Sequence, residues 1–223
     1  MNIKNLRLLR VFIFSSLLSP AQVFFRKRRM QLFLRFLDQL GIDHPKILDV
    51  GGSPHFWSEV NRSFSLTVLN LPGNLERDES KPEIHYVEGD GCKMYMFNHD
   101  QFDVVFSNSV IEHVGDEDRQ REFANEIKRV GKFFWVQTPS KYFPIEAHSG
   151  MLFWWFYPEL VRKFFINRWK REIPAWTDMV ENTVAVRRYF LESQFSDGQL
   201  IVERFLGIPK SYIIRSPSPH RSL

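Results

Sequence analysis

Four short strings hold the residues able to do chemistry. In ILDVGGSPH (47–55) an apolar run reaches Asp49 and then two glycines. A carboxylate at that point can accept hydrogen bonds from ligand amines or hydroxyls, while Gly51, Gly52 and Ser53 let the backbone approach a bulky ligand. VEGDG (87–91) closes in the same way on Asp90 and Gly91, and SLTVLNL (65–71) delivers Asn70. In FSNSVIEHV (106–114) Asn108, Ser109, Glu112 and His113 follow directly on an apolar run. His148 stands in a non-repetitive stretch after Glu146, and its near-neutral reference pKa suits a general base. Tyr142, in the same stretch, can offer a hydroxyl contact to a substrate.

Each of these residues also has a plain structural reading. Asp49 and Asp90 can cap the turns that follow them, and Asn108 and Ser109 can serve as strand-exit hydrogen bonders. His113 can be a packed histidine bonded to backbone, His148 can merely line a pocket, and Glu112 can cap the acidic helix after it. Glu112, His113 and Glu146 could form a hard-cation set, but their spacing does not establish three convergent ligands, so no metal is assigned. The glycine string does not complete G-x-G-x-x-G, and Walker, G-x-S-x-G and H-E-x-x-H sequences are missing, which speaks against nucleotidase and hydrolase chemistry.

The elements that must position these residues can be read from apolar periodicity. A helix is predicted over 22–40, stopped near Gly41. Strands are predicted at 46–50, 65–71, 84–90, within 100–110 and at 133–138, with a helix over 115–129 presenting Phe123, Ala124, Ile127 and Val130. Residues 139–183 break the alternation with an aromatic block, a helix from about 159 to 169 and a loop containing Pro174. A helix candidate at 184–194 and two strands at 199–207 and 211–216 close the chain, linked as an antiparallel hairpin through Gly207–Lys210. The β-α-β order predicts an α/β fold whose mostly parallel seven-stranded sheet has helices on both faces and polar groups along its carboxyl edge.

Composition bounds the rest. The 223 residues are 43% hydrophobic and 25% charged, which fits one globular domain with an extension and excludes a disordered or collagen-like chain. The single cysteine, Cys92, excludes an internal disulfide framework and a four-cysteine zinc site, and a reducing, cytoplasmic setting is expected. The net charge of +4 is unevenly divided: residues 1–37 hold eight basic residues and no acidic one, so the body is mildly acidic. VFIFSSLLS (11–19) imitates a short signal peptide but is too short to span a bilayer, and the RKRR block at 26–29 disfavours export. The basic, phenylalanine-rich segment 4–36 either covers the domain or meets an anionic membrane surface; a nucleic-acid partner is disfavoured because the body lacks a basic stripe.

Taken together, ILDVGGSPH, VEGDG and FDVVFSNSVIEHV resemble the class I S-adenosylmethionine-dependent methyltransferases, in particular the small-molecule, type 11-like branch, over roughly residues 43–216. The resemblance implies a Rossmann-like fold with an antiparallel last strand and S-adenosylmethionine as cofactor. It implies that Asp49, Gly51, Gly52 and Ser53 hold the methionine end and that Asn70 stands where the family usually has an acid for the ribose. Asp90 and Gly91 would meet the adenine, and Asn108 and Ser109 the sulfonium end, with His113, His148 and Tyr142 as candidate catalytic groups. Ser53 and His55 stand where glycine is common in the family, and Asn108 lacks the Asn-Pro-Pro-aromatic continuation of base-amine methylation. The organisation expected is an arm and helix over 1–42, a methyltransferase domain over 43–216 with a substrate-side insertion at about 139–183, and a flexible tail over 217–223. The aromatic insertion points to a small hydrophobic or aromatic acceptor. The alternatives are a noncatalytic membrane-associated or interaction protein on this fold and an RNA methyltransferase; a homo-oligomer is compatible with all three.

Overall fold

The computed structural model describes residues 19–57, 60–81 and 83–218. The apolar string at 11–18, the basic residues Lys4, Arg7 and Arg10, and the last five residues of the tail lie outside the described residues. Short runs rich in Val, Ile, Leu and Phe become β1 (Lys46–Val50), β2 (Ser65–Asn70), β3 (His85–Glu88), β4 (Phe102–Asn108) and β5 (Gly131–Pro139). All five are parallel and pair in the order β3-β2-β1-β4-β5, followed by β7 (Ile208–Arg215) and β6 (Gln199–Phe205), with β7 running antiparallel to its neighbours. The expected seven-stranded, mostly parallel sheet is therefore present. Its central strands are covered on both faces, which is why β1, β4 and β5 read as nearly continuous apolar runs.

One face is closed by α1 (Ser19–Leu40), which starts earlier than its periodicity alone predicts. Phe33, Phe36, Leu37 and Leu40 are buried with Ile47, Val68, Val104, Phe106 and Trp135 of the sheet. The spacing of three, four and seven puts these four side chains on one stripe of the helix. Phe33 sits at the centre of a ring cluster, 4.7 Å from Phe106, 5.5 Å from Trp135 and 5.8 Å from Trp57. The other face is closed by α2 (Glu117–Val130) and α5 (Arg188–Gln194), which bury Phe123, Ile127, Phe190 and Leu191 against Leu48, Val105 and Val136. Asp116 caps α2 by accepting from the Arg119 amide at 3.0 Å.

Two stretches differ from expectation. The segment read as a loop around Pro174 is helix α4 (Pro174–Glu181), packed against α3 (Glu159–Lys170); proline at the first helical position starts a helix because its missing N–H needs no partner there. The closing hairpin turns through two residues, Leu206 and Gly207, both with positive φ, instead of through Gly207–Lys210. That geometry matches the twist of the flanking strands.

The end of β1 depends on a buried polar contact. Asp49 is fully enclosed, and its Oδ2 accepts a hydrogen bond from the Trp57 indole at 2.6 Å. Gly51 turns with φ +72°, and a Cβ at Gly52 would fall 1.8 Å from Asp49 Oδ2, so the carboxylate fills the space that a side chain would take. Burial pushes the Asp49 carboxyl up to about 7, against the Trp57 bond that favours its ionised form. Between about pH 4 and pH 7 the folded chain holds a proton that the unfolded chain releases, so this group's contribution to stability falls as pH rises through that window and is level above it. Asp49→Asn keeps a carbonyl for Trp57 and should make the urea-unfolding free energy less pH-dependent across the window, by roughly 1–3 kcal/mol. An unchanged slope would show that Asp49 is ionised in the fold.

Candidate active site

Strands β1, β2 and β3 step outward in one direction while β4 and β5 lie on the other side of β1. At such a reversal the carboxyl ends of β1 and β4 open a crevice, and the loops after them supply its lining. The loop after β1 carries the glycine turn, and the loop after β4 is pressed against it: a Cβ at Gly51 would lie 2.6 Å from Val110. The amide of Gly51 donates to the Leu69 carbonyl at 2.7 Å, which ties the turn to β2 as well.

The residues expected to hold a cofactor line this edge, each with a partner in the protein. Asn70 closes its own loop, its Nδ2 donating to the Gly52 carbonyl at 3.3 Å and its Oδ1 accepting from the Leu71 amide at 3.0 Å. Ser53 Oγ donates to Glu76 at 3.0 Å. Asp90 accepts from the Cys92 amide at 2.9 Å and from Arg119 at 2.7 Å. Burial opposes ionisation of Asp90, but the bond and charge of Arg119 together with the Cys92 contacts outweigh it and hold the carboxyl below its ordinary value. Gly91 packs where a Cβ would meet Val50 and Phe123. Ser109, in the left-handed region with φ +59°, donates through Oγ to Gln137 at 2.9 Å. Arg29 of α1 reaches the same place, donating to Asn108 Oδ1 at 2.9 Å and to Gln137 Oε1 at 2.6 Å. The roles of Trp57, Arg119, Gln137 and Arg29 have no signal in the short motifs, except that Arg29 closes the basic block at 26–29.

The candidate catalytic groups divide. After β4 a single turn, Ile111–His113, places Glu112 inward and His113 at the rim. The segment after β5 brings His148 to it, with the two Nε2 atoms 2.9 Å apart. His148 Nδ1 donates to Glu146 Oε1 at 2.8 Å, and His113 Nδ1 lies 3.2 Å from Thr183 Oγ1. Glu112 Oε2 accepts from the Thr138 hydroxyl at 2.8 Å. Glu146 therefore orients His148, and in the set whose convergence the spacing left unestablished, Glu112, His113 and Glu146, it is His148 that stands with Glu112 and His113. Tyr142 is half exposed against the Phe156 ring, and among the described residues its hydroxyl takes no part in the histidine contacts. Thr183 was not foreseen; it lies 70 residues from His113 in sequence.

The electrostatics follow from these contacts. Burial lowers His113 to about 4, helped by the neighbouring His148. Burial would lower His148 too, but the hydrogen bond and charge of Glu146 override it and raise the imidazole above its ordinary value. Against the effect of burial, the bond and charge of His148 together with the Ser149 contacts hold Glu146 low, whereas burial pushes Glu112 up to about 7. The site thus combines an imidazole that holds its proton more tightly than usual, one that is uncharged near neutrality and a carboxyl that gives up its proton only near neutrality.

The aromatic insertion forms a separate small core. Trp154 is buried and stacked on Trp169 with ring centroids 5.4 Å apart, so it supports the fold more than it faces a ligand. Beside it, Trp155, Arg162, Ile166, Val180 and Thr183 line a groove of about 200 Å³. Among the described residues, Thr183 is the one shared between this groove and the histidine contacts, since neither His113 nor His148 lines it.

Residues 55–133 match the model of a methyltransferase domain, a span that takes in Asp90, Asn108, Glu112 and His113. No curated protein matches the chain in sequence. Among solved structures, a putative sarcosine dimethylglycine methyltransferase from Galdieria sulphuraria is 16% identical with a TM-score of 0.50, over 79% of this chain and 63% of that one. Phosphoethanolamine N-methyltransferase 2 of Haemonchus contortus, solved with S-adenosyl-L-methionine, is 13% identical with a TM-score of 0.56, over 95% of this chain and 60% of that one. The N-methyltransferase NodS of Bradyrhizobium japonicum is 15% identical with a TM-score of 0.53, over 88% of this chain and 97% of that one. The chain spans less than two thirds of the first two of these proteins. Sheet order, the antiparallel last strand and the matched segment agree: the chain carries a class I S-adenosylmethionine-dependent methyltransferase fold.

Proposed function

We propose that the chain transfers a methyl group from S-adenosylmethionine to a small molecule with a hydrophobic or aromatic body. The observation that carries this reading is the junction of the glycine turn after β1 with the loop after β4, which sets the histidine pair beside the expected cofactor crevice. The donor set suits the cofactor. Asp49 Oδ1 is buried under the glycine turn without a partner among the described residues, an acceptor available to an ammonium or hydroxyl. Asp90 keeps a third of its side chain exposed, and Asn70 presents an amide where a charge would be usual. Asp49 and the Gly51–Gly52 turn would hold the methionine end, Asn70 the ribose, Asp90 the adenine, and Asn108 with Ser109 the wall beneath the reacting centre.

When bound, the cofactor supplies a sulfonium methyl with a good leaving group, so the protein's task is alignment and exclusion of water. The groove offers the apolar surfaces of Trp155, Ile166 and Val180 beside the charged Glu159, Arg162, Lys163 and Glu181, and its Thr183 is also the residue that touches His113. A polar group on an acceptor would be oriented by the imidazole pair, with Glu146 fixing the direction of His148.

Calorimetric titration of the purified chain with S-adenosylmethionine should give saturable binding. Asp90→Ala and Asp49→Asn, which keeps an acceptor for Trp57, should each weaken it by about 1–3 kcal/mol while circular dichroism stays unchanged. Absence of saturable binding by the wild type would remove the cofactor assignment and favour a noncatalytic role. With an acceptor found by screening metabolites for methylation, Trp155→Ala and His148→Ala should lower kcat/KM and leave cofactor affinity in place. Unchanged turnover in both would move the acceptor site elsewhere.

A specific observation favours an anionic membrane surface for the basic helix. Val23 and Phe24 are exposed on α1 beside Arg26, Lys27 and Arg28, and Leu206, 86% exposed, projects from the adjoining hairpin, where Phe205 meets Phe25. No helix among the described residues is long and apolar enough to cross a membrane, so this contact would be peripheral. Co-sedimentation with vesicles should rise with anionic lipid, fall with salt, and drop in Phe24→Asp and Leu206→Asp. Equal sedimentation with neutral vesicles would count against it.

A further inference from the structure

The contacts around the two histidines determine where their lone pairs point. Thr183 Oγ1 donates its proton to the Met179 carbonyl at 2.8 Å, so toward His113 Nδ1 it can only accept, and His113 carries its hydrogen on Nδ1. Glu146, a carboxylate, can only accept from His148 Nδ1, so the hydrogen of a neutral His148 is on Nδ1 too. The two Nε2 atoms, 2.9 Å apart, then face each other with lone pairs, an arrangement that requires a cation between or beside them: one proton, or a metal ion. A third donor stands at the same place. A carboxylate oxygen of Glu112 and one ring nitrogen from each histidine all lie within 4.8 Å of one another, and Glu112 Oε1 is buried with no partner among the described residues.

We infer that Glu112, His113 and His148 form a binding site for one divalent transition-metal ion of the zinc type, in which the metal takes the place of the proton held by the imidazole pair. Two ligands at about 2.1 Å from a tetrahedral metal are about 3.4 Å apart, so the histidine nitrogens at 2.9 Å would open slightly and a pair at the 4.8 Å limit would close by about 1.4 Å. Two imidazoles and one carboxylate select zinc, cobalt, manganese or iron over magnesium or calcium, which prefer all-oxygen shells. Each ligand is already oriented from behind: His148 by Glu146, His113 by Thr183 and Glu112 by Thr138. That outer layer of hydrogen bonds is what a metal centre needs to hold its ligands in one tautomer and direction. The three residues come from two loops at the carboxyl edge, and both histidines are partly open to solvent, which leaves a path for entry. This inference goes beyond the methyl-transfer reading and stands without it.

The test uses the full-length, untagged chain, stripped with chelator and dialysed. Titration with Co²⁺, followed by its visible absorption, and with Zn²⁺, followed by calorimetry, should each show one equivalent. His148→Ala should lower the affinity at least 100-fold, and Glu112→Gln should do the same without removing a buried side chain's volume. Glu146→Gln should retain one site, weakened 10- to 100-fold, because it loosens a ligand without removing one. Circular dichroism of each variant controls for folding. The inference is overturned if the wild type takes up no metal at micromolar concentrations, or if folded His148→Ala and Glu112→Gln bind as tightly as the wild type.

Discussion

The hydrogen bond between the Trp57 indole and Asp49 is the contact on which the arrangement of the sheet edge rests. It lies where β1 ends, on the covered side of the glycine turn, and it joins a carboxyl group to the same ring cluster that seats α1 on the sheet. A polar group so placed would be costly without a partner, and the indole supplies one at little loss of packing because the rest of Trp57 is apolar surface. The Gly51–Gly52 pair follows from this: the carboxylate occupies the volume that a Cβ would need. Helix α1, the first crossover and the turn are therefore positioned together.

Much of this was legible because parallel strands buried on both faces leave a plain trace. The apolar runs of β1, β2 and β4 each end abruptly on Asp, Asn or Ser, which marks both the strand and the edge where chemistry can occur. Helix α4 was illegible for a local reason: Pro174 breaks a helix in its interior but starts one at its first position, and the string does not say which applies. Glu146 and His148 present a different limit. Two residues apart in an irregular segment, they could both face a ligand or face each other, and only the backbone turn that sends Glu146 Oε2 to the His148 amide settles it. Thr183 and Arg29 act across 70 and 79 residues, distances at which no motif reports a contact.

Arg29 shows how the helix layer reaches into the site. Its guanidinium donates to the amide oxygens of Asn108 and Gln137, residues at the ends of two neighbouring strands, and Glu203 lies 3.9 Å away across the sheet. Burial lowers the Arg29 pKa, with Glu203 as its principal counterweight. A charge held by neutral amides at one end and by a carboxylate at the other locks α1 to β4, β5 and β6 at once. The basic block at 26–29 is consequently split: Arg29 belongs to the interior, while Arg26, Lys27 and Arg28 face solvent.

The insertion after β5 then has two separable tasks, and the packing shows how one segment meets both. Its residues Trp154, Ile166, Trp169 and Val180 form a core of their own, which makes the segment a rigid cover instead of a loose loop. Rigidity matters because the segment must deliver His148 to within hydrogen-bonding distance of His113, which is fixed to β4 by the short turn at Ile111–His113. Thr183, at the far end of the cover, bonds His113 from the opposite side, and the Val184 amide donates to the Glu112 carbonyl at 2.7 Å. The cover is thus clamped to the pair of residues after β4 at two points, before and after its aromatic core. The groove and the polar centre built on such a cover keep a constant relation to each other, which is the geometric condition that the proposed in-line transfer needs.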